Sequence, residues 1–402
     1  MTFHFARHLM ATAAILAAPS FAWALDGQDL LKKINASYGG GNMTLAAGAV
    51  DVSGDNVTLR GATMTADAPD SKPVSLGDIR MSGVSANDDG SYEIEKVDFQ
   101  PINFADEKTT IRADNLYLAG VSVPAKTNGN DLSSVLIYEK AHAGPITITN
   151  EGKQLLSINE GEGNTAIEDD GAALSFDAAI KGIRIDLAGL NDPKALETVE
   201  KLDLKTLTGE ISMAGSWELK SGNIDITDYT VDFDRIGKLG MAVSLSGYTP
   251  ELIRQIQETS KIASRAASDA QSQQQAQQAA GLAMLGLIQQ LSLVSADIRF
   301  DDDGITRRAL DYSGSQQGVS GKDMAQMIKA MAPMMLAQAK LGDFQKPLME
   351  AINAYLDNPK SFAVSAEPEN PVPFPMIAGA AMGAPETLPK VLGLTASANE
   401  TE

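Results

Sequence analysis

Short runs of alternating apolar and polar residues, each closed by a turn-forming cluster, dominate residues 42–245. In one such run Val57 and Leu59 share a face, as the period of two in a β-strand requires. Clusters of Gly, Asn and Asp, such as Asn87–Gly90, separate the runs. This pattern is typical of antiparallel strands with one buried face. The sequence therefore predicts an extended β-meander as the main part of the fold.

The pattern changes to helical periodicity after Tyr248. Pro250–Leu291 contains no internal Gly or Pro before Gly281, which favours one long helix or a helix pair. Ser320, with Asp323 three residues later, is typical of a helix N-terminus. We therefore predict an α+β fold, in which β-rich antiparallel meander sheets precede a helical C-terminal third with a few strands. The predicted segments are a signal peptide (1–24), an N-terminal β-meander (25–126), a second β-rich segment (134–248), a long Ala/Gln-rich helix or helix pair (249–292) and a C-terminal α/β segment (293–402).

The first 24 residues have the organisation of a secretory signal peptide. Arg7 and His8 precede the apolar run Leu9–Ala18, and Ala22 and Ala24 flank one spacer residue. A positive start, a short apolar region and an Ala-x-Ala site are the features that signal peptidase requires. We expect cleavage after Ala24 and a secreted protein in the periplasm or outside the cell. No later stretch has the length of apolar sequence that a transmembrane helix needs, so we expect no membrane span after cleavage.

Composition excludes several classes of function. The chain has no cysteine, which excludes disulfides, thiolate catalysis and the acylated cysteine of a lipoprotein. Its formal net charge of −20 repels phosphate, so we expect no nucleic-acid partner. His142 is the one histidine outside the signal, too few for a multi-histidine metal site, and we interpret it as an ordinary surface or strand residue. No Gly-rich phosphate loop indicates a cofactor.

A stripe of methionines is the strongest candidate site in the C-terminal third. The spacing of 3, 4, 3 and 1 residues places its members largely on one helical face. Methionine fills irregular gaps in cores, so a structural seam is one interpretation. An adaptable apolar groove for an acyl chain or peptide is the second, and Cu(I) binding by thioethers is the third. The stripe consists of Met324, Met327, Met331, Met334 and Met335.

Adjacent carboxylates offer an alternative, enzymatic function. Paired acids can hydrolyse glycosidic bonds when their separation is correct, and Asp169-Asp170 and Asp301–Asp303 are such groups. Both lie in polar, turn-like contexts, and no Gly-x-Ser-x-Gly motif supplies a serine nucleophile. Trp217 is the one tryptophan after the signal, which argues against a sugar-binding platform of stacked aromatic rings.

The layout of the chain resembles the AsmA-like periplasmic proteins of proteobacteria and the related YdgA-type family. Strand pairs close on steps such as Leu118-Ala-Gly120, Leu187-Ala-Gly189 and Leu245-Ser-Gly247, and these steps also indicate a repeated β-unit. The phrase Ile298–Leu310 is similar to the strand, turn and helix that such proteins carry, as is Asp357–Ser361 before the last strands. The resemblance implies an envelope role without catalytic residues, although an AsmA-like protein usually keeps an N-terminal anchor.

Taken together, these features predict a non-enzymatic protein of the bacterial envelope. We expect it to bind a lipid acyl chain or an envelope protein in an apolar groove that the methionine stripe partly lines. A periplasmic hydrolase that uses paired carboxylates and a Cu(I)-binding protein are the alternatives. We expect no metal or cofactor in the leading case.

Overall fold

The alternating runs form strands of one continuous antiparallel sheet, in a computed structural model that bears out the predicted α+β class. The signal segment with Ala22 and Ala24, and the pair Asp169-Asp170, lie outside the described residues. Residues 257, 260–265 and 270–278 are described by their backbone alone. The structure describes residues 25–37, 43–66, 71–127, 129, 132–168, 171–190, 192–265 and 270–400.

Twenty strands are assigned within these residues. They are β1 (Met43–Ala46), β2 (Ala49–Ser53), β3 (Asn56–Ala66), β4 (Val74–Ala86), β5 (Tyr92–Asp98), β6 (Ile102–Ala105), β7 (Thr109–Ala113), β8 (Tyr117–Val123), β9 (Ile137–Ala143), β10 (Ile146–Asn150), β11 (Lys153–Ile158), β12 (Glu160–Ile167), β13 (Ala173–Asp186), β14 (Thr206–Glu218), β15 (Asn223–Phe233), β16 (Gly237–Ser246), β17 (Ser292–Asp302), β18 (Ser361–Ala366), β19 (Val372–Pro373) and β20 (Leu394–Ala398).

Helices lie at the start of the described chain, between strands, and mainly in the C-terminal third. They are α1 (Gly27–Ser37), α2 (Pro193–Lys201), α3 (Pro250–Arg265), α4 (Ala270–Ile288), α5 (Ile305–Gln316), α6 (Gly321–Ala339), α7 (Gln345–Asp357), α8 (Phe374–Gly383) and α9 (Leu388–Val391). The predicted helix pair after Tyr248 corresponds to α3 and α4.

The hydrogen-bonded order of the strands shows that one sheet joins the predicted N-terminal, second β-rich and C-terminal segments. β1 and β2 pair with β3, and the sheet continues through β4, β5, β8, β9, β12, β13, β14, β15, β16, β17, β18 and β20. A branch leaves the C-terminal half of β13 through β11, β10, β7 and β6. The predicted N-terminal and second β-rich segments are therefore parts of one sheet.

The middle strands are interrupted along one line across the sheet, which we call the crease. The parts of the sheet on either side of it are its two arms. Strand structure is interrupted between β5 and β6, between β7 and β8, between β9 and β10, and between β11 and β12. These breaks are neighbours, because the Gly144 amide donates to the Asp114 carbonyl at 3.0 Å and the Asn159 amide donates to the Lys181 carbonyl at 3.1 Å. β13 passes the same line at Gly182, where φ is +64°. Glycine adopts this conformation without the steric cost that a Cβ adds, so the crease depends on Gly182.

The best-packed core lies at the N-terminal end, where α1 covers one face of the sheet. Leu30 and Ile34 of α1 pack with Val57, Leu59 and Ile94. We call this face of the sheet the inner face. The alternating pattern that predicts the strands gives no signal for α1, because the apolar positions Leu30 and Ile34 of this 11-residue helix follow the helical period.

The cap predicted at Ser320 is confirmed. Ser320 accepts a hydrogen bond from the Asp323 amide at 3.2 Å, and the Asp323 carboxylate accepts one from the Ser320 amide. α6 then continues through Pro333, although proline removes one backbone hydrogen bond. The helix ends only at Lys340, which has a φ of +51°.

The three glycines of the steps that indicate a repeated β-unit occupy different structural positions. Gly120 lies inside β8, while Gly189 follows β13 and Gly247 follows β16. Gly120 and Gly247 have positive φ, at +60° and +89°, whereas the φ of Gly189 is not positive. These Leu-x-Gly steps therefore do not mark one repeated structural unit.

Candidate functional site

An open apolar cavity of about 490 Å³ lies over the crease on the inner face. Leu76 and Phe99 form part of its wall, and both also pack against the N-terminal core. Ile102 contributes from the other side of the crease. Both arms of the sheet therefore supply the lining, which makes the cavity a product of the fold rather than of one sequence segment.

Small residues make the floor of this cavity. Ala141 and Ala143 lie on β9, and Gly161 and Gly163 face them from β12 in register. A Cβ atom added at Gly163 would meet nothing closer than 3.8 Å, so the glycine is not required by strain. Its effect is to leave space above the strand.

Two rows of apolar residues continue from this floor across the sheet. Each row follows direct cross-strand neighbours, which lie side by side on the same face. The rows cross seven strands from β12 to β18, which spans about 29 Å at the usual strand spacing. We call the cavity and these rows together the trough. One row is Gly161, Ile180, Ile211, Val231, Leu239, Phe300 and Phe362, and the other is Gly163, Ala178, Met213, Tyr229, Met241, Ile298 and Val364.

The trough is open in its middle and covered at both ends. Ile180 and Ile298 are 38 % and 50 % exposed, although their neighbours in the rows are apolar. Beneath α1 a narrower cavity of about 70 Å³ shares Leu76, Phe99 and Leu118 with the larger one. At the other end, the ring of Tyr355 on α7 lies 5.7 Å from that of Phe362.

The wall of the trough has a gap between β4 and β6. The C-terminal half of β4 pairs with β5, but within the described residues β6 pairs with β7 alone. Pro101 precedes β6 and has no amide hydrogen to continue the ladder. The Gln100 side chain lies against Gly77, where an added Cβ would come within 2.2 Å of its Oε1. The sheet therefore divides at Gln100 and Pro101.

The opposite face of the sheet, which we call the outer face, carries ion pairs behind the cavity. Lys140 lies 2.9 Å from Glu162, and Lys181 lies 3.4 Å from Glu160. The hydrogen bond from Lys140 lowers the pKa of the Glu162 carboxyl, and the same contact raises the pKa of Lys140. These pairs keep both charges on the solvent side while the inner face stays apolar.

His142 and Glu162 border the cavity, and their positions in the strand register place both on this outer ladder. Its Nδ1 lies 2.9 Å from the Asn115 carbonyl oxygen, and its ring stacks on Tyr117 with centroids 5.0 Å apart. The nitrogen and carboxylate atoms of His142, Glu160 and Glu162 lie within 4.8 Å of one another, which is a distance at which a metal ion could be held. The two lysines already compensate both carboxylates, so the arrangement is complete as an ion-pair network.

The methionine stripe lies apart from the trough. Met324 is buried at 5 % exposure, whereas Met327, Met331, Met334 and Met335 are 41–63 % exposed. None of the five lines either apolar cavity described above. The stripe therefore splits into one core residue and an exposed face, and its role as a ligand groove stays a prediction.

The acidic turn Asp301–Asp303 is held by local structure. Asp301 pairs with Arg299 at 2.7 Å, and Asp302 accepts from the Thr306 amide at the start of α5. Asp303 accepts from the Arg235 amide at 2.6 Å. Each carboxylate has a structural partner, so this turn offers no free pair for acid–base chemistry.

Sequence reasoning missed every residue of the trough as a site. Gly161, Ile180 and Met213 come from three different strands, and alternation identifies each merely as apolar-facing. The signal that was present is the glycine pair in Glu160–Gly163, Glu-Gly-Glu-Gly, because repeated glycine on one face of a strand leaves space there.

The comparison with known proteins adds one finding. A family model described as "Uncharacterized protein" matches residues 230–399, from within β15 to the residue after β20. No curated protein matches the chain. Among the helices of the described residues, none combines the length and the apolarity needed to cross a bilayer.

Proposed function

We propose that the trough binds the acyl chains of a lipid and that the protein does not alter them chemically. The observation that carries this proposal is the pair of unbroken apolar rows that lead away from the cavity. Their span of about 29 Å exceeds the depth of one bilayer leaflet, which is roughly half of a 30 Å hydrocarbon core. An extended acyl chain therefore fits along the rows.

The character of the lining supports a flexible apolar ligand. The cavity volume of about 490 Å³ is in the range of small-molecule sites. Met213 and Met241 lie next to Tyr229 in one row, and methionine adapts its shape to varied partners. A site for a polar substrate would need several converging hydrogen-bond donors, and the Tyr229 hydroxyl is the only donor among the side chains of these rows.

The predicted signal peptide supports a place for this activity in the bacterial periplasm. Export would bring the trough next to membrane lipids, in agreement with the envelope role that the AsmA-like resemblance implies. Intact mass measurement of the protein recovered from periplasm tests this part of the proposal, because cleavage after Ala24 removes a known mass. Retention of the first 24 residues would replace the secreted form with an anchored one.

Native mass spectrometry followed by lipid extraction tests the binding itself. We expect bound lipid at a defined ratio in the wild type. The double variant Gly161→Leu and Gly163→Leu places two side chains in the floor, where the strand conformation accepts them. We expect this variant to lose most of its lipid, because both rows are then blocked at β12.

The matched control is Ala166→Leu, which adds a leucine to the exposed opposite face of the same strand. It should retain the wild-type lipid content, and circular dichroism should show all variants folded. Unliganded wild-type protein that also binds no acyl probe would overturn the proposal and favour an envelope protein as the partner. Equal lipid content in the floor variant and the control would place the lipid elsewhere.

A further inference from the structure

His142, Glu160 and Glu162 form a cluster of candidate metal ligands on the outer face. One ring nitrogen of His142 and one carboxylate oxygen of each glutamate lie within 4.8 Å of one another, and all three residues are half-buried. Ligand atoms at about 2.1 Å from one zinc ion lie about 3.4 Å apart in a tetrahedron. Small rotations of these side chains would therefore bring all three ligand atoms onto one ion.

The sheet fixes the positions from which the three side chains reach this point. Glu160 and Glu162 are two residues apart on β12, so both point to the same face. His142 on β9 is the direct register partner of Glu162, and the side chains of such partners lie side by side. The cluster therefore rests on the hydrogen-bonded backbone of two neighbouring strands and not on a loop.

The contacts of His142 identify the ring nitrogen that can bind a cation. Nδ1 lies 2.9 Å from the Asn115 carbonyl oxygen, and a carbonyl only accepts, so Nδ1 carries the hydrogen. In the neutral ring Nε2 then holds the lone pair that a metal needs. Stacking on Tyr117 also orients the ring. Histidines that bind metals usually donate their other nitrogen to a carbonyl or a carboxylate in this way.

Two lysine ammonium groups supply the positive charge that the glutamates now meet. Lys140 lies 2.9 Å from Glu162, and Lys181 lies 3.4 Å from Glu160. The two lysine side chains are 39 % and 52 % exposed, and exposed ion pairs of this kind contribute little to stability. A doubly charged ion that binds both glutamates can therefore displace both ammonium groups, which move into solvent on their flexible side chains.

We propose that His142, Glu160 and Glu162 bind one Zn²⁺ ion, with water in the fourth position. One imidazole nitrogen and two carboxylate oxygens are a set of donors that zinc accepts, whereas Ca²⁺ and Mg²⁺ prefer oxygen ligands alone. The bound ion joins β9 to β12 behind the floor of the cavity. This inference does not require the trough to hold a lipid.

Isothermal titration of the protein without a histidine tag tests the proposal. We expect the wild type to bind one Zn²⁺ ion per chain. His142→Gln should weaken the binding at least about tenfold, because it removes the nitrogen ligand on which the preference for zinc depends. Any His4 and His8 that the purified chain retains are unaltered in this variant, so the loss would be due to His142.

Three further variants separate a metal site from an acidic surface. Glu160→Gln should also weaken zinc binding. Glu151→Gln should not, although Glu151 pairs with Lys108 at 3.1 Å in a similar way. Lys140→Gln should tighten zinc binding, because it removes a charge that competes with zinc for Glu162. Circular dichroism should show all variants folded, and Lys140→Gln that leaves the zinc affinity unchanged would mean that Glu162 does not bind the ion.

Cobalt and calcium complete the test. Co²⁺ in place of Zn²⁺ should show the intense visible absorption of a four-coordinate ion, and His142→Gln should lack it. Ca²⁺ should bind weakly, and equally to the wild type and His142→Gln. Equal zinc affinity in the wild type and His142→Gln, or calcium binding as tight as zinc binding, would overturn the proposal. Zinc uptake that does not saturate at one ion would assign the ions to the acidic surface in general and would also overturn it.

Discussion

The hydroxyl of Tyr92 on β5 donates a hydrogen bond of 2.9 Å to the carboxylate of Asp29 on α1. Lys33 donates to the same carboxylate at 2.5 Å and to the Gly90 carbonyl at 2.7 Å. These bonds fasten α1 to the sheet from the side, while Leu30 and Ile34 pack beneath it. The covered end of the trough therefore depends on a small polar cluster as well as on apolar packing.

Asp29→Asn should remove an acid-sensitive part of the stability. The hydrogen bond from Lys33 lowers the pKa of Asp29 below 3.8, and burial opposes it. A depressed pKa in the folded state means that the stabilisation is present above pH 3.8 and is lost as the pH falls through the folded value. We expect a cost of about 1 kcal/mol or less at neutral pH, because water screens the partly exposed carboxylate.

Urea unfolding of the wild type and Asp29→Asn at neutral pH and below pH 3.8 measures this effect. The gap between the two proteins should narrow at the lower pH. Asp88→Asn, in an exposed turn, serves as the control and should cost little at either pH. A gap that is constant across the two conditions would show that the Asp29 charge is not involved.

Tyr92 should titrate near pH 12. Burial is the main cause that raises the pKa of its phenol to about 12, and the hydrogen bond to Asp29 adds to it. The neutral phenol therefore contributes stability that is complete below pH 10 and is lost as the pH rises through about 12. Ultraviolet titration should show a step near pH 12 that Tyr92→Phe lacks and Tyr312→Phe retains.

Leu30→Ala should destabilise the protein strongly. Leu30 is 1 % exposed at the centre of the contact between α1 and the sheet. Truncating such a leucine typically costs about 2–5 kcal/mol, since it removes apolar burial and leaves a cavity. Lys32→Ala on the exposed side of the same helix is the control, and its unfolding midpoint in urea should stay near that of the wild type. Similar midpoints for both variants would mean that α1 does not contribute to the core.

The crease should depend on Gly182. Both Gly182 and Gly171 have positive φ, at +64° and +66°, so alanine at either site costs about 1–2 kcal/mol in backbone strain. A Cβ at Gly182 would also lie 2.1 Å from Asn159 Nδ2, whereas none of the described atoms lies within 4 Å at Gly171. Thermal unfolding should therefore show the larger loss for Gly182→Ala. Equal losses would leave backbone strain as the whole effect.

Mild peroxide should oxidise the methionines of α6 in the order of their exposure. Met334 and Met335 are 60 % and 63 % exposed, and Met324 is 5 % exposed. Oxidation of methionine follows access to the sulfur. Peptide mass spectrometry over a time course should find sulfoxide at Met334 and Met335 well before Met324. Early oxidation of Met324 would show that α6 does not bury it in solution.

Local patterns in the sequence predict the strands and the cap of α6, but they do not predict which strands are neighbours. Val57 and Leu59 alternate in the way that a half-buried strand demands, and the structure places both in the core. The pairing of β13 with both β11 and β12 has no local signature. It depends on the crease at Gly182, where glycine is required by its positive φ and by the close approach of Asn159, which is more than 20 residues away.

The methionine stripe shows the limit of periodicity for a candidate site. Spacing places five methionines on one helical face, but whether that face is covered depends on the packing of α6 against α5 and α7. In the structure one methionine is buried and four are exposed. Met213 and Met241, which do lie in the trough, are single methionines in separate strands, and nothing in their local sequence distinguishes them from core residues.

By itself, the sequence of this protein determined its class, its strand-forming segments and their apolar faces, because alternation, turn residues and caps act over a few residues. The tertiary structure alone decided that Gly161, Ile180, Ile211 and Val231 form one row, and that α1 covers one end of the trough. Rows of this kind require register between strands that are distant in the chain. Register is set by hydrogen bonding and packing across the whole sheet, which no local pattern encodes.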